Sequence, residues 1–153
     1  MSTWMDASLD TADRCWEAMS EILGGFSDDE ANRRLPVVGS NSPYAIGHHC
    51  VEVARWWLGT FGCGQALPRD RNAEFTSTGS VPELLARVVQ TRLDMVAWTG
   101  QMLNDGICGR DARGTKADVD LTTVTPEWVV LHVVHDVAQH LGQLEITRDL
   151  LRK

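Results

Sequence analysis

The segment 131-LHVVHDVAQHLGQLEITRDLL-151 sets three histidines, His132, His135 and His140, and one aspartate, Asp136, within nine residues of a largely apolar run. Imidazole and carboxylate groups are costly to bury without partners. Such a stretch can bind a metal, move protons, or satisfy its polar groups internally. On a helix, residues four apart differ by about 40° in direction and about 6 Å along the axis. Asp136 and His140 therefore share a face, and His132 lies one turn earlier on the same stripe. His135 and His140, five apart, diverge by about 140° and do not easily clamp one ion. A carboxylate and an imidazole one turn apart suit a divalent first-row metal.

Two ligands make a weak site, and the chain has five histidines in all. The other two, His48 and His49, interrupt a second apolar stretch, 49-HCVEVARWWLG-59. His49 shares a face with Val53 and Trp56, four and seven residues on, which points it inward. His48 is rotated by about 100°, toward an edge or solvent. The expected constellation is His49, Asp136 and His140. Three protein ligands leave coordination positions open, as catalytic metal sites do. The spacing also fits a plainer outcome: D-x-x-x-H is short, and a histidine on an apolar helix face is often a hydrogen-bonded core residue.

Positioning these residues requires helices. The first is expected from about Thr3 to Leu23, where Leu9, Ala12, Trp16, Met19 and Leu23 recur at helical steps and Gly24–Gly25 supply a left-handed terminus. The second starts at Ser42, a cap, with Pro43 in the first position, and runs to about Thr60. The third opens with the S-x-x-E of Ser80 and Glu83, a capping box. Its apolar face is Leu84, Leu85, Val88, Val89, Met95, Val96, Met102 and Leu103, interrupted by Arg92. The fourth follows the Thr125 cap and Pro126. Connections over roughly 24–41, 61–79 and 104–124 exceed the usual two to eight residues of antiparallel neighbours. An all-α four-helix bundle with long crossovers is therefore expected, as one domain over 1–153. The polar stretch 109–123 is expected as a surface loop bordering the site.

The chain has 153 residues, 43% of them apolar, and a net charge of −7. That charge argues against a phosphate-tracking nucleic-acid surface, and the pairs near Arg33–Arg34 and Arg69–Arg71 read as solvated. No apolar run approaches the roughly 20 residues of a membrane span, and the first residues do not read as a secretory signal; a cytoplasmic setting is expected. Four cysteines occur without a C-x-x-C pair and read as free packing thiols.

Three segments carry a family resemblance. The stretch 42-SPYAIGHHCVEVARWWLG-59 is similar to an "H-L-x-E-V-x-R-W-W" helix, 69-RDRNAEFTSTGSVPELLARV-88 to an acidic-aromatic-threonine loop leading into helix three, and 132-HVVHDVAQHLGQLEITRDLL-151 to "H-x-x-x-[E/H]-x-x-x-H-x-G-[Q/H]". In this combination the chain resembles the DinB/YfiT-like metalloproteins, especially the actinobacterial branch of mycothiol-dependent transferases. The resemblance implies an up-down-down-up bundle, commonly a homodimer, with a divalent metal on His49, Asp136 and His140. The middle ligand is usually His or Glu in that family. Asp136 departs from this, being one methylene shorter than Glu, and His135 is an alternative donor if the helix is distorted.

The resulting expectation is a metal-dependent thiol S-transferase, adding mycothiol or a similar low-molecular-weight thiol to an electrophilic small molecule. The metal set is zinc, nickel, iron or manganese. Expected helpers are His132, Gln143 and Arg92, with Arg55 as a second carboxylate holder. Trp56, Trp57 and Trp128 are expected in the core, one of them lining the pocket. A hydrolase using an activated water, and a non-catalytic metal- or ligand-binding bundle, are the alternatives.

Overall fold

The computed structural model describes residues 3–115 and 119–153. The chain forms α1 (Thr3–Gly24), α2 (Asp28–Asn32), α3 (Pro43–Ala54) with a π-helical continuation (Arg55–Gly62), α4 (Arg71–Glu74), α5 (Val81–Asp105) and α6 (Pro126–Leu151). The four long elements are the expected ones. The two short helices lie in the crossovers, which explains part of those connections' length. The third crossover carries no helix among its described residues.

Cross-chain pairs fix the directions. Arg152 Nη2 donates to the Gly25 carbonyl at 3.1 Å, joining the C-terminal ends of α1 and α6. Trp16 Nε1 meets Met95 Sδ at 3.2 Å, while Gly24 lies beside Leu85, so α5 runs against α1. Gly47 lies against Leu84 and Gly62 against Met102, so α3 and α5 run together. His49 approaches Asp136, and Trp57 packs on Trp128, so α6 runs against α3. The order is up-down-down-up. Its core includes Trp16, Met19, Leu23, Trp56, Phe61, Leu84, Val88, Val133, Val137 and Leu144, all 2% exposed or less.

Local chemistry places the helix starts. Ser42 Oγ accepts from Ala45 N at 3.1 Å, and Thr125 caps α6 from Trp128 N at 3.3 Å. Each is followed by proline, which costs no hydrogen bond in a first turn. The α5 start differs from expectation. Ser80 makes no side-chain cap; instead Val81 N donates to Asp28 Oδ1, 2.7 Å away in α2. The capping box forms at Ser27 and Glu30. Gly24 and Gly25 end α1 with no positive φ at either position; Gly25 N reaches the Glu21 and Ile22 carbonyls at 3.2 Å each and Phe26 N that of Leu23 at 3.1 Å, so the last turn closes without a left-handed residue.

The apolar face of α5 is narrower than expected. Leu84, Val88, Met95 and Met102 are buried with Thr91 and Trp98, whereas Val89, Leu93 and Val96 are over half exposed. The end of α3 is wider: Cys63 N reaches Leu58 O at 3.0 Å, a five-residue step. Gly59 lets this stretch approach α5, since a Cβ there would lie 3.1 Å from Trp98 Cζ2. The π turn is the element that carries Trp57 to the site, in keeping with the frequent use of such turns beside function.

Candidate metal centre

His49, on the inward face of α3, is 4% exposed. Its Nδ1 lies 2.6 Å from Glu74 Oε2. A carboxylate only accepts, so Nδ1 carries the proton and the Nε2 lone pair is turned to Asp136 Oδ1, 3.5 Å away on α6. His140, one turn on, has Nδ1 2.9 Å from the Asp136 backbone carbonyl and 2.8 Å from Asp136 Oδ1. The donated hydrogen goes to the backbone carbonyl, so buried Oδ1 has no hydrogen-bond partner among the described residues. His49, Asp136 and His140 each offer a ligand atom within 4.8 Å of the others and could hold a metal ion. A lone pair facing an orphaned carboxylate oxygen is the arrangement a cation resolves; the donor set fits a divalent first-row metal.

Electrostatics agree with this geometry. Burial alone would raise the Asp136 carboxyl, but His140 and His49 outweigh it and hold it well below the ordinary carboxylate range. Burial likewise opposes a charged His49, yet Asp136 and Glu74 raise its pKa above the usual imidazole value.

From sequence, Glu74 has no role and Arg69 only that of a solvated charge. Asp70 Oδ1 caps α4 by accepting from Asn72 N and Ala73 N at 3.1 Å each, and the single turn delivers Glu74, 1% exposed, against His49. Arg69, with a side chain 2% exposed, donates Nε to Glu74 Oε1 at 2.6 Å and Nη2 to Oε2 at 3.1 Å. Arg69 is thus a buried partner and not a solvated charge. Burial raises the Glu74 carboxyl, but His49 and Arg69 bring it below its ordinary value. The one clue was the Glu-Phe-Thr sequence at 74–76, an acidic residue beside an aromatic in an otherwise polar loop.

A cavity of about 220 Å³ opens over the triad. Trp57, Phe75 and Val53 form its apolar wall, and Arg71, Thr115 and His132 line it further out. Thr115 belongs to the polar stretch expected to border the site; residues 116–118 of that stretch lie outside the described residues. His132 stacks on Trp128 at 4.9 Å between centroids and lies 4.0 Å from Asp136 Oδ2. Burial keeps its pKa below the usual imidazole value despite Asp136.

Other expected helpers lie elsewhere. Arg92 is turned out between α5 and α1, where it donates to Asp13 Oδ1 at 2.7 Å and Glu17 Oε1 at 3.2 Å; two acidic partners on the neighbouring helix hold it away from the cavity. Arg55 pairs with Glu52 at 3.8 Å, and Gln143 does not line the cavity. His135 is exposed on an unbroken α6, so no distortion brings it in as a donor. His48 is half-buried at the bundle edge, with Nδ1 2.8 Å from Arg87 Nη1. All four cysteines are free, none lines the cavity, and burial pushes the Cys50 thiol well above its ordinary value and Cys63 to about 11.

A family model described as mycothiol-S-transferase matches residues 8–153. Among solved structures, the conserved protein of a locus from Enterococcus faecalis matches with a TM-score of 0.68 at 18% identity, covering 99% of this chain and 98% of that one; this is a likeness of fold alone. No curated protein matches. Among the described residues no helix is long and apolar enough to cross a membrane.

Proposed function

From a chain that belongs to the mycothiol-S-transferase family, we propose a divalent-metal-dependent thiol S-transferase that joins mycothiol, or a similar low-molecular-weight thiol, to an electrophilic small molecule. What supports the metal is the convergence of His49, Asp136 and His140 within 4.8 Å at a cavity. What supports an external thiol is that no cysteine lines that cavity and that burial disfavours the thiolate of Cys50. A zinc, nickel, iron or manganese ion bound there would supply Lewis acidity, which favours deprotonation of a coordinating thiol.

The chain's own residues do the rest. Glu74 fixes the His49 tautomer, and Arg69 holds Glu74 in place. Trp57, Phe75 and Val53 exclude water from the reacting sulfur. His132, neutral at neutral pH, accepts the thiol proton. The sulfur lone pair forms an S–C bond. In displacement, the leaving group departs with its electron pair; in addition, the carbanion recovers the proton from His132. A homodimer in the cytoplasm, without nucleic-acid or membrane partners, completes the reading.

His132 beside Asp136 also suits a second reading, a hydrolase in which that imidazole takes a proton from water. Mass spectrometry of mixtures with mycothiol, bacillithiol or glutathione and a reactive electrophile separates the two. Enzyme-accelerated thioether formation supports transfer. Hydrolysed product without thioether supports hydrolysis, and rates equal to the enzyme-free control defeat both.

A further inference from the structure

In a chain of net charge −7, two arginines, Arg69 and Arg71, line the triad's cavity. Arg69, Arg71 and Thr115 line both the inner cavity of about 220 Å³ and an adjoining one of about 510 Å³. The outer cavity is completed by Asp70, Asn72 and Gly114. The inner chamber is small, so a ligand reaching the triad from this side passes along Arg71.

These cations are not equivalent. Glu74 takes Nε and Nη2 of Arg69, while Nη1 of this 2%-exposed side chain has no hydrogen-bond partner among the described residues. Half-buried Arg71 makes no ion pair or side-chain hydrogen bond among the described residues, unlike the paired Arg14, Arg55, Arg87, Arg92 and Arg148. Asp70, the nearest carboxylate in sequence, spends Oδ1 on the α4 backbone. A planar guanidinium presents paired donors matched to a carboxylate.

We propose that Arg71 determines substrate specificity, binding the carboxylate of an anionic electrophile in the outer cavity so that its reactive carbon lies over the triad. Arg69, its charge met by Glu74, leaves Nη1 without a hydrogen-bond partner among the described residues in that wall. This rests on the transferase reading for the word electrophile, but not for the anion subsite itself. It moves the carboxylate-holding role expected of Arg92 and Arg55 to a residue that lines the site.

The test is a binding comparison between succinate and its neutral diamide, titrated into the full chain as purified and followed by tryptophan fluorescence, since Trp57 lines the inner chamber. Wild type is expected to prefer succinate by about tenfold, less so at high salt. Arg71→Ala removes the preference, and Arg71→Lys keeps part of it, since Lys retains the charge without the fork. Circular dichroism checks that both variants fold. Equal binding of the two ligands by wild type overturns the proposal. So does a preference that survives Arg71→Ala, whether or not chelation then abolishes it, because a carboxylate on the metal needs no Arg71. The readout requires no turnover: if succinate selectivity holds while a neutral electrophile gives no thioether, the transferase reading falls and the subsite stands.

Discussion

Replacing Glu74 tests how the site is held. The carboxylate bridges His49 Nδ1 at 2.6 Å and Arg69 Nε at 2.6 Å, all three side chains being 5% exposed or less. Two losses follow from Glu74→Ala. His49 loses the acceptor that fixes its tautomer and ring orientation; such outer partners are worth about 10–100-fold in metal affinity, or about 1.4–2.7 kcal/mol. Arg69 keeps a buried charge without its counter-ion, and breaking a buried pair in this way costs about 3–5 kcal/mol, a large share of a typical stability of about 5–15 kcal/mol. Glu74→Gln keeps an acceptor and gives up the charge, so it falls between. Replacing both partners, Glu74→Leu with Arg69→Met, removes the orphaned charge and recovers most of the stability, but not the metal affinity. Urea unfolding of chelator-treated protein reads the first quantity, and competition with a metal-indicator dye reads the second. Glu74→Gln and Glu74→Ala binding metal as wild type does would refute the orienting role, and a double variant as unstable as Glu74→Ala would refute the charge account.

Three further outcomes are expected. His49→Ala and His140→Ala each lose stoichiometric metal by elemental analysis, and Asp136→Asn weakens it by at least about tenfold, about 1.4 kcal/mol; full retention in all three contradicts the triad. Asp28→Ala lowers stability by about 1 kcal/mol, because Asp28 satisfies Val81 N, while Ser80→Ala changes it by no more than a few tenths, as thermal melts will report. Gly109→Ala costs about 1–3 kcal/mol in urea unfolding, since the new Cβ meets the Thr60 carbonyl oxygen and lies 3.1 Å from the Phe61 carbonyl oxygen, neither of which can swing aside as a side chain would.

The convergence of the three candidate ligand residues was legible because helical periodicity fixes direction. Asp136 and His140 stand one turn apart, and His49 shares its face with Val53, so burial of one face brings the three together. Ser42 and Thr125 were legible because capping is local. What could not be read depends on contacts across the chain. Glu74 is 25 residues from His49, on a single turn inside an aperiodic connection, and its pairing turned Arg69 from an expected solvated charge into a buried one. Arg92 interrupts an apolar stripe in sequence, but its acidic partners are 79 and 75 residues away. The Ser80 motif was sound in itself and lost to Asp28 from α2, a competitor that only folding brings near.

The central claim, a metal held by α3 and α6 that takes a thiol, is tested most directly by cobalt(II) substitution followed by mycothiol addition. One equivalent of cobalt should bind, and mycothiol should then raise an intense near-ultraviolet sulfur-to-cobalt absorption in wild type that is absent in His49→Ala. Failure to take up cobalt, or a cobalt spectrum indifferent to the thiol, would contradict it.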